Sequence, residues 1–264
     1  MFSIKQRLNL AMALLTIGLV AIGCHAVVNV PPSAKGNIAY RGLPVEQDAK
    51  GRSYIVVGGD TIHLDYAPSE RHGALTEEDY IEVAEELGVE VATIKAVVEI
   101  EAGKEHKGFA NEKPIINFDL SVFRSMAARN GIKLAKYSKS HHVVFSRPNT
   151  AKYGSYQAAQ HARLEAAMTI DSLTAIQGTF WGMFQIGGFN WKKCGAATPS
   201  EFVQLMSRSE RDQLELFAEF VRSTGLQQYL VKKNWSAFAK GYNGPSFAAR
   251  GYHTRLAQAY NKYK

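Results

Sequence analysis

The sequence predicts a mainly α-helical domain with a small β patch, placed behind an export signal and a tether. Three observations predict it. Apolar residues recur at helical spacing from Leu75 to Tyr263, an alternating β-branched pattern is confined to Ser53–Tyr66, and the chain opens on a basic and then apolar run. No internal repeat or low-complexity tract interrupts this order.

Lys5 and Arg7 precede an apolar stretch from Leu8 to Ile22, and small residues lead up to Cys24. This is the layout of a signal peptide. A cysteine directly after Gly23 fits a lipoprotein signal, with Cys24 lipidated and the mature chain held to a membrane by its lipid. Cleavage near Ala26 is a second reading, and a retained signal anchor of marginal spanning length is a third. All three export the remainder to the cell envelope. The organisation expected is a signal over 1–24, a tether with a β-hairpin over 25–73, and a folded domain over 74–264.

Composition narrows the function. The two cysteines are Cys24 and Cys194, so a lipidated Cys24 leaves Cys194 without a partner. Stability then rests on a hydrophobic core, for which roughly 190 residues are ample. The net charge of +7 falls to about +5 without Lys5 and Arg7, which suits an anionic wall or membrane surface. Lys and Arg are scattered rather than clustered with aromatics, which argues against nucleic acid as a partner. His141 and His142 are adjacent, so their side chains diverge, and no Cys or Asp spacing accompanies them. No metal and no cofactor is expected.

Along the tether, Pro31 to Gly36 reads as a linker, and Ser53–Val57 and Thr61–Tyr66 flank a glycine turn as a hairpin. The domain opens at Thr76, a helix N-cap followed by Glu77, Glu78 and Asp79, and its first helix stops at Gly88. The helix from Val91 follows at once. Asn111 to Asp119 is a short extended stretch, and Ala135 to Tyr156 is polar and reads as an exposed excursion. Helices are expected over Tyr156–Ile170, Pro199–Ser223 (one or two), Leu226–Lys233 and Phe247–Tyr263.

Glu101 stands out within this frame. At about 100° per residue, Val91, Ile94, Val97 and Val98 share one face of their helix, and Glu101 falls in the middle of it. Glu99 points roughly 160° away, towards water or a neighbouring helix. With Gly103 as the stop, Glu101 is also in the last turn, where the helix dipole disfavours negative charge. Desolvation and dipole together favour the protonated acid, the form that can donate a proton to a leaving oxygen. A structural carboxylate paired with an arginine, or one reaching out from the helix end, is the competing reading.

Two strings follow Glu101 in order, Trp181-Gly182-Met183-Phe184-Gln185-Ile186 and Gly241-Tyr242-Asn243-Gly244-Pro245. They resemble the Gly-Leu-Met-Gln and Ala-Tyr-Asn-x-Gly stretches of lytic transglycosylases and goose-type lysozymes. The whole of Leu75 to Tyr260 is similar to the N-acetylmuramidase domain of phage endolysins. That likeness runs through Glu99-Ile100-Glu101, Pro114 to Asp119, Arg163-Leu164, Trp181 to Asn190, Cys194-Gly195, Glu201-Phe202, Glu210 with Gln213-Leu214, and Tyr242 to Pro245. The resemblance implies a lysozyme-like α+β domain with a small β-hairpin patch beside an active-site cleft. Its implied reaction cleaves the β-1,4 bond between N-acetylmuramic acid and N-acetylglucosamine in peptidoglycan glycan strands. Glu101 would be the general acid, and Asp119 would orient water or stabilise the positively charged ring. Gln185 and Asn243 would hydrogen-bond N-acetyl groups or hydroxyls, Tyr242 would stack on a sugar or reach the reacting centre, and Trp181 would pack in the core or line the cleft.

Two departures matter. Ala102 replaces the Ser that usually follows the catalytic Glu, and Phe118-Asp119-Leu120-Ser121 stands where Phe-Glu and a later His are common. Three activities therefore stay open: a muramidase, a lytic transglycosylase needing no second carboxylate, and a wall-binding protein that has lost turnover.

Overall fold

The computed structural model describes residues 46–47, 53–57, 60–63, 74–102 and 107–264. The expected signal, Cys24, the linker at 31–36 and the stop at Gly103 lie outside the described residues. The chain divides into two compact units, Met1–Arg71 and His72–Lys264. In the first, the hairpin expected from the sequence is present as β2 (Ser53–Val57) and β3 (Asp60–His63), paired antiparallel with Val57 opposite Asp60. A short strand not foreseen, β1 (Glu46–Gln47), pairs antiparallel with β2.

The second unit begins with α1 (Glu77–Leu87). The Thr76 hydroxyl accepts from the Asp79 N–H, and the Asp79 carboxylate accepts from the Thr76 N–H at 2.7 Å, a reciprocal cap that satisfies two otherwise unpaired donors. Gly88 ends the helix at φ 63°, a left-handed conformation open to glycine. α2 (Val91–Glu101) follows. Ile94, Val97 and Val98 are buried as their spacing predicts, and Ala92, Thr93 and Ala96 are buried as well. The second set is covered by α12 (Tyr252–Tyr263), whose Ala259 and Tyr260 meet Ala92 and Ala96. Small side chains on both helices let the backbones approach closely. At the rim, Glu99 turns to this neighbouring helix and accepts from Lys262 Nζ (2.7 Å) and the Tyr263 hydroxyl (2.5 Å).

The β patch is assembled from two stretches of the chain, residues 109–118 directly after α2 and residues 179–187 further on. β4 (Phe109–Ala110) and β5 (Lys113–Pro114) form a hairpin closed by Asn111 and Glu112, both at positive φ (50° and 60°), as a tight primed turn requires. β6 (Ile116–Phe118), β7 (Thr179–Trp181) and β8 (Ile186–Gly187) form an antiparallel sheet in that order. Its register sets Ile116, Trp181 and Ile186 in one row and Asn117, Phe180 and Gly187 in the next. Strand geometry sends the two rows to opposite faces, and the first row is fully buried.

Three helices escaped the sequence reading: α3 (Leu120–Arg129), α7 (Ser172–Gln177) and α11 (Trp235–Asn243). The stretch expected to be an exposed excursion carries a 3-10 turn at Leu134–Tyr137 and short helices α4 (His142–Phe145) and α5 (Thr150–Tyr153). It is tied down because Val144 is buried and its carbonyl accepts from Arg163 of α6 (Tyr156–Met168) at 3.1 Å. Pro199–Ser223 resolves into two helices, α8 (Pro199–Met206) and α9 (Glu210–Ser223). The short α10 (Gln227–Val231) completes the order before α11. No helix among the described residues is long and apolar enough to cross a membrane.

Candidate active site

Glu101 is the last residue of α2, and the Ala102 N–H closes the final turn on the Val98 carbonyl at 2.9 Å. Burial raises its carboxyl from the ordinary 4.5 to about 7. Two weaker influences oppose the rise: the Asn243 amide donates to Glu101 Oε1 at 3.0 Å, and the Arg255 guanidinium on α12 exerts a favourable field. Oε2 has no hydrogen-bond partner among the described residues, so one oxygen is anchored while the other can carry the proton.

Asn243 reaches Glu101 because α11 ends there. Asn234 Oδ1 caps that helix by accepting from the Ala237 N–H (3.0 Å), and Gly244 turns the chain away at φ 77°. The neighbouring Tyr242 donates its hydroxyl to the Phe184 carbonyl at 2.9 Å. Its ring stacks on Phe238 (5.7 Å, 7°) and meets Phe217 and Phe220 edge-on. Burial, with the Glu101 charge adding to it, pushes the Tyr242 hydroxyl well above its usual range, so it stays protonated. For Tyr242, expected to stack on a sugar or to reach the reacting centre, the structure shows a ring packed against three phenylalanines and a hydroxyl engaged with the Phe184 carbonyl.

Phe184 belongs to the turn between β7 and β8, which also carries Gln185 at φ 48°. Gln185 Nε2 donates to the Gly182 carbonyl at 2.9 Å, leaving its Oε1 without a partner among the described residues. The sequence reading missed what holds this turn. Gln213 on α9 is fully buried; its Oε1 accepts from the Met183 N–H (2.7 Å), and its Nε2 donates to the carbonyls of Met206 (2.8 Å) and Gly108 (3.3 Å). Glu210, one turn earlier, accepts from the Gly108 N–H at 2.7 Å. A Cβ at Gly108 would lie 2.4 Å from Gln213 Oε1, so the backbone approach needs glycine. The available signal was a pair of polar residues one helical turn apart on the apolar side of a helix.

The structure therefore brings Glu101, Asn243, Tyr242 and the Gln185 turn into one connected group. Trp181 is not part of it. At 1% exposure, with its indole N–H donating to the Ile176 carbonyl (3.1 Å) and Phe202 edge-on, it is a core residue rather than a cleft wall. Asp119 is the N-cap of α3, where its Oδ1 accepts from the N–H groups of Ser121 (2.8 Å) and Val122 (2.9 Å). No hydrogen bond joins it to Glu101 among the described residues. It lines an open recess of about 330 Å³ together with Asn117, Arg147, Tyr156, Gln160 and Arg163. Among the described residues no three His, Cys, Asp or Glu side chains converge as metal ligands. His141 instead bonds Ser140 (2.8 Å) and Thr169 (3.0 Å).

A mainly helical domain with small antiparallel sheets is the architecture of a lysozyme-like fold. The sequence profile of the N-acetylmuramidase family matches residues 90–264. The chain belongs to the N-acetylmuramidase family and, with it, to the peptidoglycan hydrolases. Its structure is similar to the crystal structure of Burkholderia AP3 phage endolysin, with a TM-score of 0.60 and 32% sequence identity over 73% of this chain and 71% of that one. No curated protein sequence matches the chain.

Proposed function

We propose that this protein hydrolyses the β-1,4 bond between N-acetylmuramic acid and N-acetylglucosamine, with Glu101 as general acid. The observation that carries the reading is a carboxyl held near pH 7 by burial, with one oxygen fixed by Asn243. Glu101 donates its proton to the bridging oxygen as the glycosidic bond breaks and an oxocarbenium-like ring develops. The new Glu101 carboxylate is stabilised where it forms by the Asn243 N–H and the Arg255 charge. Asp119 directs water to the anomeric carbon through Oδ2, the oxygen its cap leaves unused. Gln185 Oε1 accepts from a sugar acetamido group or hydroxyl.

One observation favours a second reading. Because Asp119 Oδ1 is engaged by two backbone N–H groups, Asp119 can be a cap alone, and a lytic transglycosylase needs only Glu101 acting as acid and then base. Mass spectrometry of digested peptidoglycan separates the two: reducing muramic ends support hydrolysis, 1,6-anhydro ends support transglycosylation. Wall binding without either product, unchanged in Glu101→Gln, would leave only a binding role. Lipidation at Cys24 and residence in the envelope belong to the same proposal; loss of lipid labelling in Cys24→Ser tests them.

A further inference from the structure

The recess beside Asp119 contains a buried cation that no carboxylate contacts. Arg163 is 6% exposed, stacks on the Phe118 ring at 4.9 Å, and donates through Nη1 and Nη2 to the carbonyls of Phe118 and Val144, both at 3.1 Å. Its Nε is buried without a hydrogen-bond partner. Among the described residues it enters no ion pair, and neither does Arg147 on the facing wall. Asp119 is the one acidic group lining the space, so the recess carries a net positive charge. Burial nevertheless outweighs the opposing fields of Tyr156 and of the Asp119 carboxylate and holds the Arg163 guanidinium below its ordinary range, so the site is receptive to a further anion.

Three of the polar lining side chains are held by one another. Gln160, fully buried, donates to Asn117 Oδ1 (2.9 Å) and to the Tyr156 hydroxyl (2.6 Å). Tyr156 is 51% exposed and stands at the mouth. Phe145 and Pro148 give the rim an apolar part.

We infer that this recess binds the acidic peptide stem carried by the muramoyl sugar, with a stem carboxylate directed at Arg147 and Arg163. The inference rests on the muramidase reading and names the second half of its substrate. A stem peptide offers what the lining complements: carboxylates for guanidinium groups, amides for Asn117 and the Tyr156 hydroxyl, and short aliphatic side chains for the rim. A bare glycan offers the muramoyl carboxylate but neither the peptide amides nor the aliphatic side chains.

The test uses the full chain carrying Glu101→Gln, so that binding is read without turnover. Fluorescently labelled muramoyl peptide is titrated in, then the same compound with its stem carboxylates amidated. Amidation is expected to weaken binding about tenfold or more, and adding Arg147→Gln, an exposed substitution whose fold is checked by circular dichroism, should weaken the acidic ligand alone to a similar degree. Equal affinity for the two ligands, no binding at all, or competition by glycerol phosphate as effective as by the acidic peptide would overturn the inference. Reducing ends released by the unmodified protein from intact wall are scored separately. Their absence overturns the muramidase reading, whereas their presence alongside equal binding overturns the peptide site alone.

Discussion

Replacing Glu101 by Gln should abolish activity and stabilise the protein, the second effect growing as pH rises from about 4.5 to about 7 and staying level above that. In the folded state the carboxyl holds its proton up to about 7 against an ordinary 4.5. A folded-state value above the unfolded one means that protonation favours folding. The benefit is complete below about pH 4.5 and is lost as pH rises through about 7. At 1.36 kcal/mol per tenfold change in proton affinity, the difference between these values amounts to about 3 kcal/mol by pH 8.5. Glutamine has the same shape and no charge, and its Oε1 can accept from the Asn243 amide as the Glu101 oxygen does. Urea unfolding of both proteins at pH 5 and pH 8.5 reads the effect directly. The expected gain for the variant is small at pH 5 and about 3 kcal/mol at pH 8.5. An equal gain at both pH values, or a loss at pH 8.5, would refute the claim that this carboxyl is desolvated.

Other substitutions address its neighbours. Asn243→Ala removes a charge-assisted bond of about 1.5–3 kcal/mol, so the alkaline limb of the kcat/KM profile on purified wall should move up by about one to two pH units; an unmoved limb would show that Asn243 does not tune Glu101. Asp119→Asn preserves a good helix cap, so the melting temperature should hold while hydrolysis falls about a hundredfold if the carboxylate directs water. Unchanged turnover with anhydro products would instead make Asp119 a cap alone. Gln213→Ala takes the side-chain partner from the Met183 N–H and the Met206 carbonyl, while the Gly108 carbonyl keeps the Ile115 N–H at 2.9 Å; it should cost about 3 kcal/mol in denaturant unfolding, together with activity lost through the loosened Gln185 turn.

What could be foreseen was local. The Thr76 cap, the Gly88 stop and the face shared by Ile94, Val97, Val98 and Glu101 depend on residues within one or two helical turns. The desolvation of Glu101 followed from the same pattern. Asp119 was legible as a carboxylate beside a strand, but the Asp-Leu-Ser-Val run is equally a helix start, and that reading was passed over. Trp181 and Tyr242 were harder, because an aromatic in a motif does not reveal which neighbours surround it. The sheet register buries Trp181, and Phe217, Phe220 and Phe238 enclose Tyr242. The stretch from 135 to 156 looked like a solvated loop because its anchor, Arg163, lies outside it. Gln213 joins positions more than a hundred residues apart in one case, a link that no local pattern encodes.

The Gln185 turn is fastened from two sides, by Gln213 at the Met183 N–H and by the Tyr242 hydroxyl at the Phe184 carbonyl. On the proposed function, an arriving sugar chain would meet an amide whose orientation was decided when the chain folded, leaving little motional freedom to surrender on contact. Loosening either fastening should leave the reacting carboxyl intact and yet slow the enzyme, as docked chains would sit in many poses where now they find one.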